Sequence, residues 1–275
     1  VFSVANFHEV ASVYSLTLML ACISTIISST EYLSLIQEFS PDGAFSWTIF
    51  SSRPTCVAHP RFFRATEFLF ERRATQVIHV LRITACVVLL FLQANPLFAH
   101  FLIPLLALSG LVLSFRDIVG TDGSDQMTSL IFCALTFYTL CNDEFVRVCA
   151  LLFIACQSVL SYVIAGIAKL LSRKWRGGVA MAQIMNTRAY GMEFVGRTHA
   201  RLPAYLNQVI CWVTIAAESL FFLVLLLPSP YFLFFICWGI VFHIFNAVAM
   251  GLNTFFWSFL ATYPCIFYVH HLLMR

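Results

Sequence analysis

A lysine, a histidine and an asparagine stand inside long apolar runs of this chain. Lys169 closes the stretch Ala165-Gly166-Ile167-Ala168-Lys169-Leu170. His243 and Asn246 lie three apart in Phe242-His243-Ile244-Phe245-Asn246. Ionisable groups in lipid surroundings are expensive, so each is a functional candidate. Apolar burial favours the neutral amine of lysine. An imidazole and a carboxamide beside it can orient a ligand by donating and accepting hydrogen bonds. The plain alternative for Lys169 is a side chain that snorkels to the membrane interface. His243 lies roughly 12 Å from the end of its apolar run and Lys169 about 3–6 residues from the end of its own. These depths allow one shared pocket, with Lys169 and His243 as candidate catalytic residues and Asn246 as a candidate ligand-binding residue.

Other polar residues fall at the same end of the predicted helices. The turn from Arg116 to Gln126 carries Asp117, Asp122 and Asp125 with Gly120 and Gly123. Asp122, Asp125 and Gln126 are expected to shape the mouth of the pocket. Asn253 and Trp257 open the last apolar run from that side and complete the candidate ligand-binding set. The competing reading is helix-to-helix glue, worth about 1 kcal/mol per polar contact. Glu218 falls mid-run, where a carboxylate must be protonated or paired. Arg82 and His79 are its candidate partners. His100, His270 and His271 read as interface or packing residues. No metal site is predicted: the ten cysteines show no C-x-x-C spacing and no histidine lies at a zinc-finger offset. Cys149 and Cys156, seven apart, read as packing on one helix face. No phosphate-binding loop, dinucleotide fingerprint, H-E-x-x-H or G-x-S-x-G motif is present.

The elements that must hold these groups are membrane helices. The chain has 275 residues, of which 60% are apolar and 11% charged, against ~25% charged in soluble domains. Such a chain has too little charge to cover a water-exposed surface. Its abundance of Leu, Ile, Val and Phe excludes disorder. A net charge of +3 gives no argument for nucleic acid. Continuous apolar runs, without period-two alternation, exclude a transmembrane barrel. At about 20 residues per crossing, eight spans are predicted, near 10–30, 76–94, 97–115, 127–142, 146–171, 205–227, 231–248 and 253–271. The fold class is therefore an all-α polytopic bundle in one transmembrane domain. Pro96 and the Pro228-Ser229-Pro230 break read as tight hairpins. No signal peptide is predicted before the first run. Two polar loops, about 37–75 and 172–204, hold most cations, and the even number of spans between them puts both on one face. The positive-inside rule makes that face cytoplasmic and both termini non-cytoplasmic.

The segment Ser161-Tyr162-Val163-Ile164-Ala165-Gly166-Ile167-Ala168-Lys169-Leu170, followed by Trp175 and Gly178, resembles the helix end carrying the active lysine of vitamin K-dependent gamma-carboxylase. It is equally similar to the related HTTM (horizontally transferred transmembrane) proteins. Phe242-His243-Ile244-Phe245-Asn246, Gly251-Leu252-Asn253 and Phe259-Leu260-Ala261-Thr262-Tyr263-Pro264 resemble the family's late-helix pattern. Gly120 to Gln126 resembles the loop before its fourth span. The resemblance covers about 76–270. It implies that Lys169 deprotonates a reduced quinone, with a carboxylase-like or peptide-maturation role. Three departures stand against full carboxylase activity. Gln126 occupies the place of a family histidine, and glutamine is neither acid nor base. The carboxylase's large soluble portion has no counterpart in the sequence. The family places its lysine end outside the cytoplasm, whereas the cation count here places it inside.

Two functions follow. One is a membrane enzyme or maturation factor with a quinone- or lipid-binding pocket at Lys169 and His243. The other is a non-catalytic subunit of a respiratory or photosynthetic membrane complex, contacting lipids, partner helices, chlorophyll or haem. A transporter is the weaker third, without a broken-helix pair or inverted repeat.

Overall fold

The structure is a computed structural model that describes residues 4–93, 95–116, 123–187 and 192–275. It is 85% helical, with no strand among the described residues. Among the described residues the principal helices are α1 (Val4–Ser34), α2 (Arg72–Leu92), α3 (Pro96–Arg116), α4 (Gly123–Leu140), α5 (Glu144–Leu171), α6 (Arg173–Arg176), α7 (Ala180–Met185), α8 (Glu193–Arg201), α9 (Ala204–Ser219), α10 (Tyr231–Met250), α11 (Asn253–Leu260) and α12 (Tyr263–Met274). Five are long and apolar enough to cross a bilayer: α1 over Glu9–Ser34, α2, α3 over Pro96–Phe115, α5 and α10. These five make the chain compatible with an integral membrane protein.

The other three predicted spans take different forms. α4 is 18 residues long. The run near 205–227 is α9 followed by a 3-10 turn over Phe221–Leu225. The run near 253–271 divides into α11 and α12. Pro264 stands in the first turn of α12, where its missing N–H breaks the ladder that would join the two. The Thr262 hydroxyl takes over at the break, donating to the Phe259 carbonyl at 2.7 Å and lying 2.8 Å from Ser158 Oγ.

The chain forms two compact units. The first comprises Val1–Thr17 and Val148–Arg275, the second Leu18–Arg147. In the second unit, α2 buries Thr75, His79, Arg82, Cys86 and Leu89, a stripe with three- and four-residue steps that marks one helix face. α3 packs along α4. The first polar loop is not extended chain. Three short helices, Trp47–Ser51, Pro54–Ala58 and Pro60–Thr66, gather Trp47, Phe50 and Phe70, with Trp47 stacked on Phe70 at 5.2 Å.

Asp125 enters the first turn of α4 and ties it to α1. Ser28 donates to one carboxylate oxygen at 2.9 Å and Tyr32 to the other at 3.1 Å. Tyr32 in turn stacks on His79, ring centres 5.0 Å apart. Asp125→Asn is expected to destabilise the protein by about 1 kcal/mol. Unfolding by dodecyl sulfate in mixed micelles measures it, and an unchanged midpoint would show these bonds contribute nothing.

Candidate functional site in the first unit

Three helices of the first unit aim polar groups at one cavity because each repeats its inward residues at helical spacing. On α5, Tyr162, Gly166 and Lys169 follow one another at four- and three-residue steps, on the stripe that also buries Val148, Leu151, Ala155 and Ser158. On α9, Asn207, Cys211, Thr214 and Glu218 form the buried stripe. On α10, Phe232, Phe235, Gly239 and His243 do so, and the same spacing carries on to Asn246 and Met250.

The closest approach is at Gly166. A Cβ there would overlap the backbone of Ser219 and Glu218, so α5 and α9 meet main chain to side-chain-free main chain. One turn further along, Lys169 Nζ reaches Glu218 Oε2 at 2.5 Å. The Glu218 side chain is 3% exposed and that of Lys169 20%. The indole of Trp175, on α6, covers the ammonium with its ring centre 5.2 Å from Nζ. The carboxylate expected to pair with Arg82 or His79 is thus paired with Lys169. Arg82 and His79 lie in the second unit, where Arg82 donates to Ser109 Oγ at 2.8 Å.

A hydrogen-bonded chain reaches the same cavity. His243 Nε2 lies 2.7 Å from the Tyr162 hydroxyl, which lies 3.0 Å from the Tyr263 hydroxyl. All three residues are at most 4% exposed. Gly239 makes room for it, since a Cβ there would overlap the Tyr263 hydroxyl. Rings fix the geometry: Tyr162 stacks on Phe221 at 3.8 Å and His243 on Phe259 at 4.5 Å. His243 Nδ1 has no hydrogen-bond partner among the described residues.

Between these groups lies a cavity of about 280 Å³ whose walls include Tyr162, Lys169, Thr214, Glu218, His243 and Asn246. Its apolar lining includes Trp175, Met181, Ile184, Phe242, Phe255 and Phe259. Three of these, Trp175, Met181 and Ile184, come from the second polar loop. That loop folds into α6, α7 and α8, because Met181, Met185 and Cys211 form a buried cluster against Trp175, Val195, Ile210 and Met250. At the rim, α10 ends at Gly251, whose φ of 71° is the left-handed conformation that favours glycine. Met250 and Leu252, on either side of it, both line the cavity.

The cavity wall includes Lys169, His243 and Asn246. Asn253, on the first turn of α11, is exposed, and Trp257 is half-buried against Phe256; neither is among the lining residues. Asp125 and Gln126 belong to the second unit, and Asp122 lies outside the described residues. Tyr162 and Glu218 also line the cavity, although the sequence alone marks Glu218 only as a carboxylate in need of a partner and Tyr162 only within the segment before Lys169. The signal was present: Glu218 shares a four-three-four stripe with Asn207, Cys211 and Thr214, and Tyr162 shares one with Lys169.

Chemically, an ammonium–carboxylate pair, an imidazole and a phenol line one largely apolar space. Such a site can hold a small ring with a polar edge and move a proton to or from that edge. No family model matches the chain, and neither does any curated protein or solved structure.

Proposed function

We propose that this chain is an HTTM-type integral membrane protein that binds a quinol-like or lipid ligand in the first-unit cavity, with Lys169 as proton acceptor. His243 and Asn246 orient the ligand. The observation that carries the reading is convergence: two helices far apart in sequence, α5 and α10, bring Lys169, His243 and Asn246 to one cavity. Eight crossings fit the helix lengths. α4, α9 with its 3-10 extension, and α11 with α12 each amount to roughly 27–33 Å at 1.5 Å per residue, about the hydrocarbon thickness. An even number puts both termini on one side, non-cytoplasmic by the cation distribution. The contact of Arg275 with Glu9 at 3.2 Å agrees with termini on a common side.

The test uses menadiol, a small naphthohydroquinone, with the purified protein in mild detergent. Trp175 lines the cavity, so binding is expected to quench tryptophan emission saturably, and Trp175→Phe to remove most of that quench. Lys169→Ala and His243→Gln are each expected to weaken binding at least about tenfold, some 1.4 kcal/mol. Equal quenching in wild type and both variants overturns the reading. Absence of saturable quenching together with a stoichiometric co-purifying membrane protein would favour the role of complex subunit instead.

A further inference from the structure

Lys169 cannot be the base of this cavity alone. Its Nζ sits 2.5 Å from a carboxylate that is almost wholly buried, and an ammonium held by a carboxylate has no lone pair to offer. We propose that Lys169 and Glu218 act as one acid–base unit in which Glu218 is the positioning residue that sets the protonation state of Lys169. This rests on the reading of the cavity as a ligand site.

The proton count is simple. At rest the pair holds one mobile proton, as ammonium with carboxylate or as amine with carboxylic acid, and is neutral overall in both forms. Neutrality matters here because an isolated buried ion is penalised by several kcal/mol. When Glu218 holds the proton, the Lys169 amine is free. A ligand O–H then breaks, its proton bonds to Nζ and its electron pair stays on oxygen. The pair becomes ammonium with carboxylic acid, carrying +1, beside a ligand oxyanion carrying −1. A fixed positive charge next to a forming oxyanion is the arrangement that favours such a step. No oxidant or reductant enters.

Two features of the site fit this assignment. Trp175 lies over Nζ at 5.2 Å, so the ammonium form keeps a partner on its second side when the carboxylate is protonated. Gly166 places the Glu218 main chain against α5, so the carboxylate is delivered by packed backbone and not by a mobile loop.

The chain contains two lysines, Lys169 and Lys174, and Lys174 on α6 is exposed. Trace acetylation with acetic anhydride, read by mass spectrometry at fixed pH, therefore reports Lys169 against an internal reference and needs no ligand. In Glu218→Gln the amine loses its carboxylate partner, so its labelling relative to Lys174 is expected to rise about tenfold. A ratio within twofold of wild type overturns the acid–base unit and leaves the ligand site to stand or fall by menadiol binding. If Glu218→Gln does not fold, Glu218→Asp keeps the charge but withdraws it by one methylene. A rise of about threefold is then expected, and an unchanged ratio again overturns the proposal.

Discussion

Lys169→Met is expected to lower stability by about 2–3 kcal/mol, and the double variant Lys169→Met/Glu218→Leu to recover most of that loss. Removing one partner of a buried ion pair typically costs about 3–5 kcal/mol, because the other charge is left without compensation. Two features reduce the figure here. Lys169 is 20% exposed, so part of its charge is already screened by water, and Glu218 can relieve its isolation by taking up a proton. Leucine at 218 removes the stranded carboxyl altogether and fills a similar volume. Dodecyl sulfate titration in mixed micelles measures all three proteins. Equal losses in the single and double variants would show that packing of the lysine stem, not its charge, supports the fold.

Gly166→Ala is expected to cost about 3 kcal/mol, at the upper end of what added volume in a packed core does. The new methyl would overlap the backbone of Ser219 and Glu218. A side chain can rotate away from such an intrusion, but a helix must move as a whole. α5 and α9 would part, and the Lys169–Glu218 contact with them. Acetylation of Lys169 in this variant should therefore rise alongside the loss of stability. Gly110→Ala is the control: the atom nearest its added Cβ is the Ser129 hydroxyl at 2.6 Å, a rotatable group, and about 1 kcal/mol or less is expected. Similar losses at the two glycines would contradict the close backbone approach.

The membrane class and the similar depths of Lys169 and His243 were legible in the sequence because both rest on local quantities. Few charges in a long apolar chain leave only one solvent for its helices, and depth along a run follows from rise per residue. The partner of Glu218 was not legible. Arg82 and Lys169 were both cations of apolar runs, and only the missing Cβ at Gly166 selects between them. The loop from 172 to 204 read as polar by its arginines, yet Trp175, Met181 and Ile184 form part of the cavity wall. Their spacing is too short for a span, and what they pack against is contributed by α9 and α10. The last run read as one helix because hydropathy is blind to Pro264, which divides it into α11 and α12.

The chain from Tyr263 through Tyr162 to His243 has one further property. Each hydroxyl in it is both a donor and an acceptor, so the whole row can point either way. In one direction Tyr263 donates to Tyr162 and Tyr162 to Nε2, and the ring's proton stands on Nδ1. In the other, Nε2 donates to Tyr162 and Tyr162 to Tyr263, and Nδ1 becomes a lone pair. The two arrangements share every heavy-atom position. The polarity of the histidine can thus be reversed by the placement of three hydrogens alone.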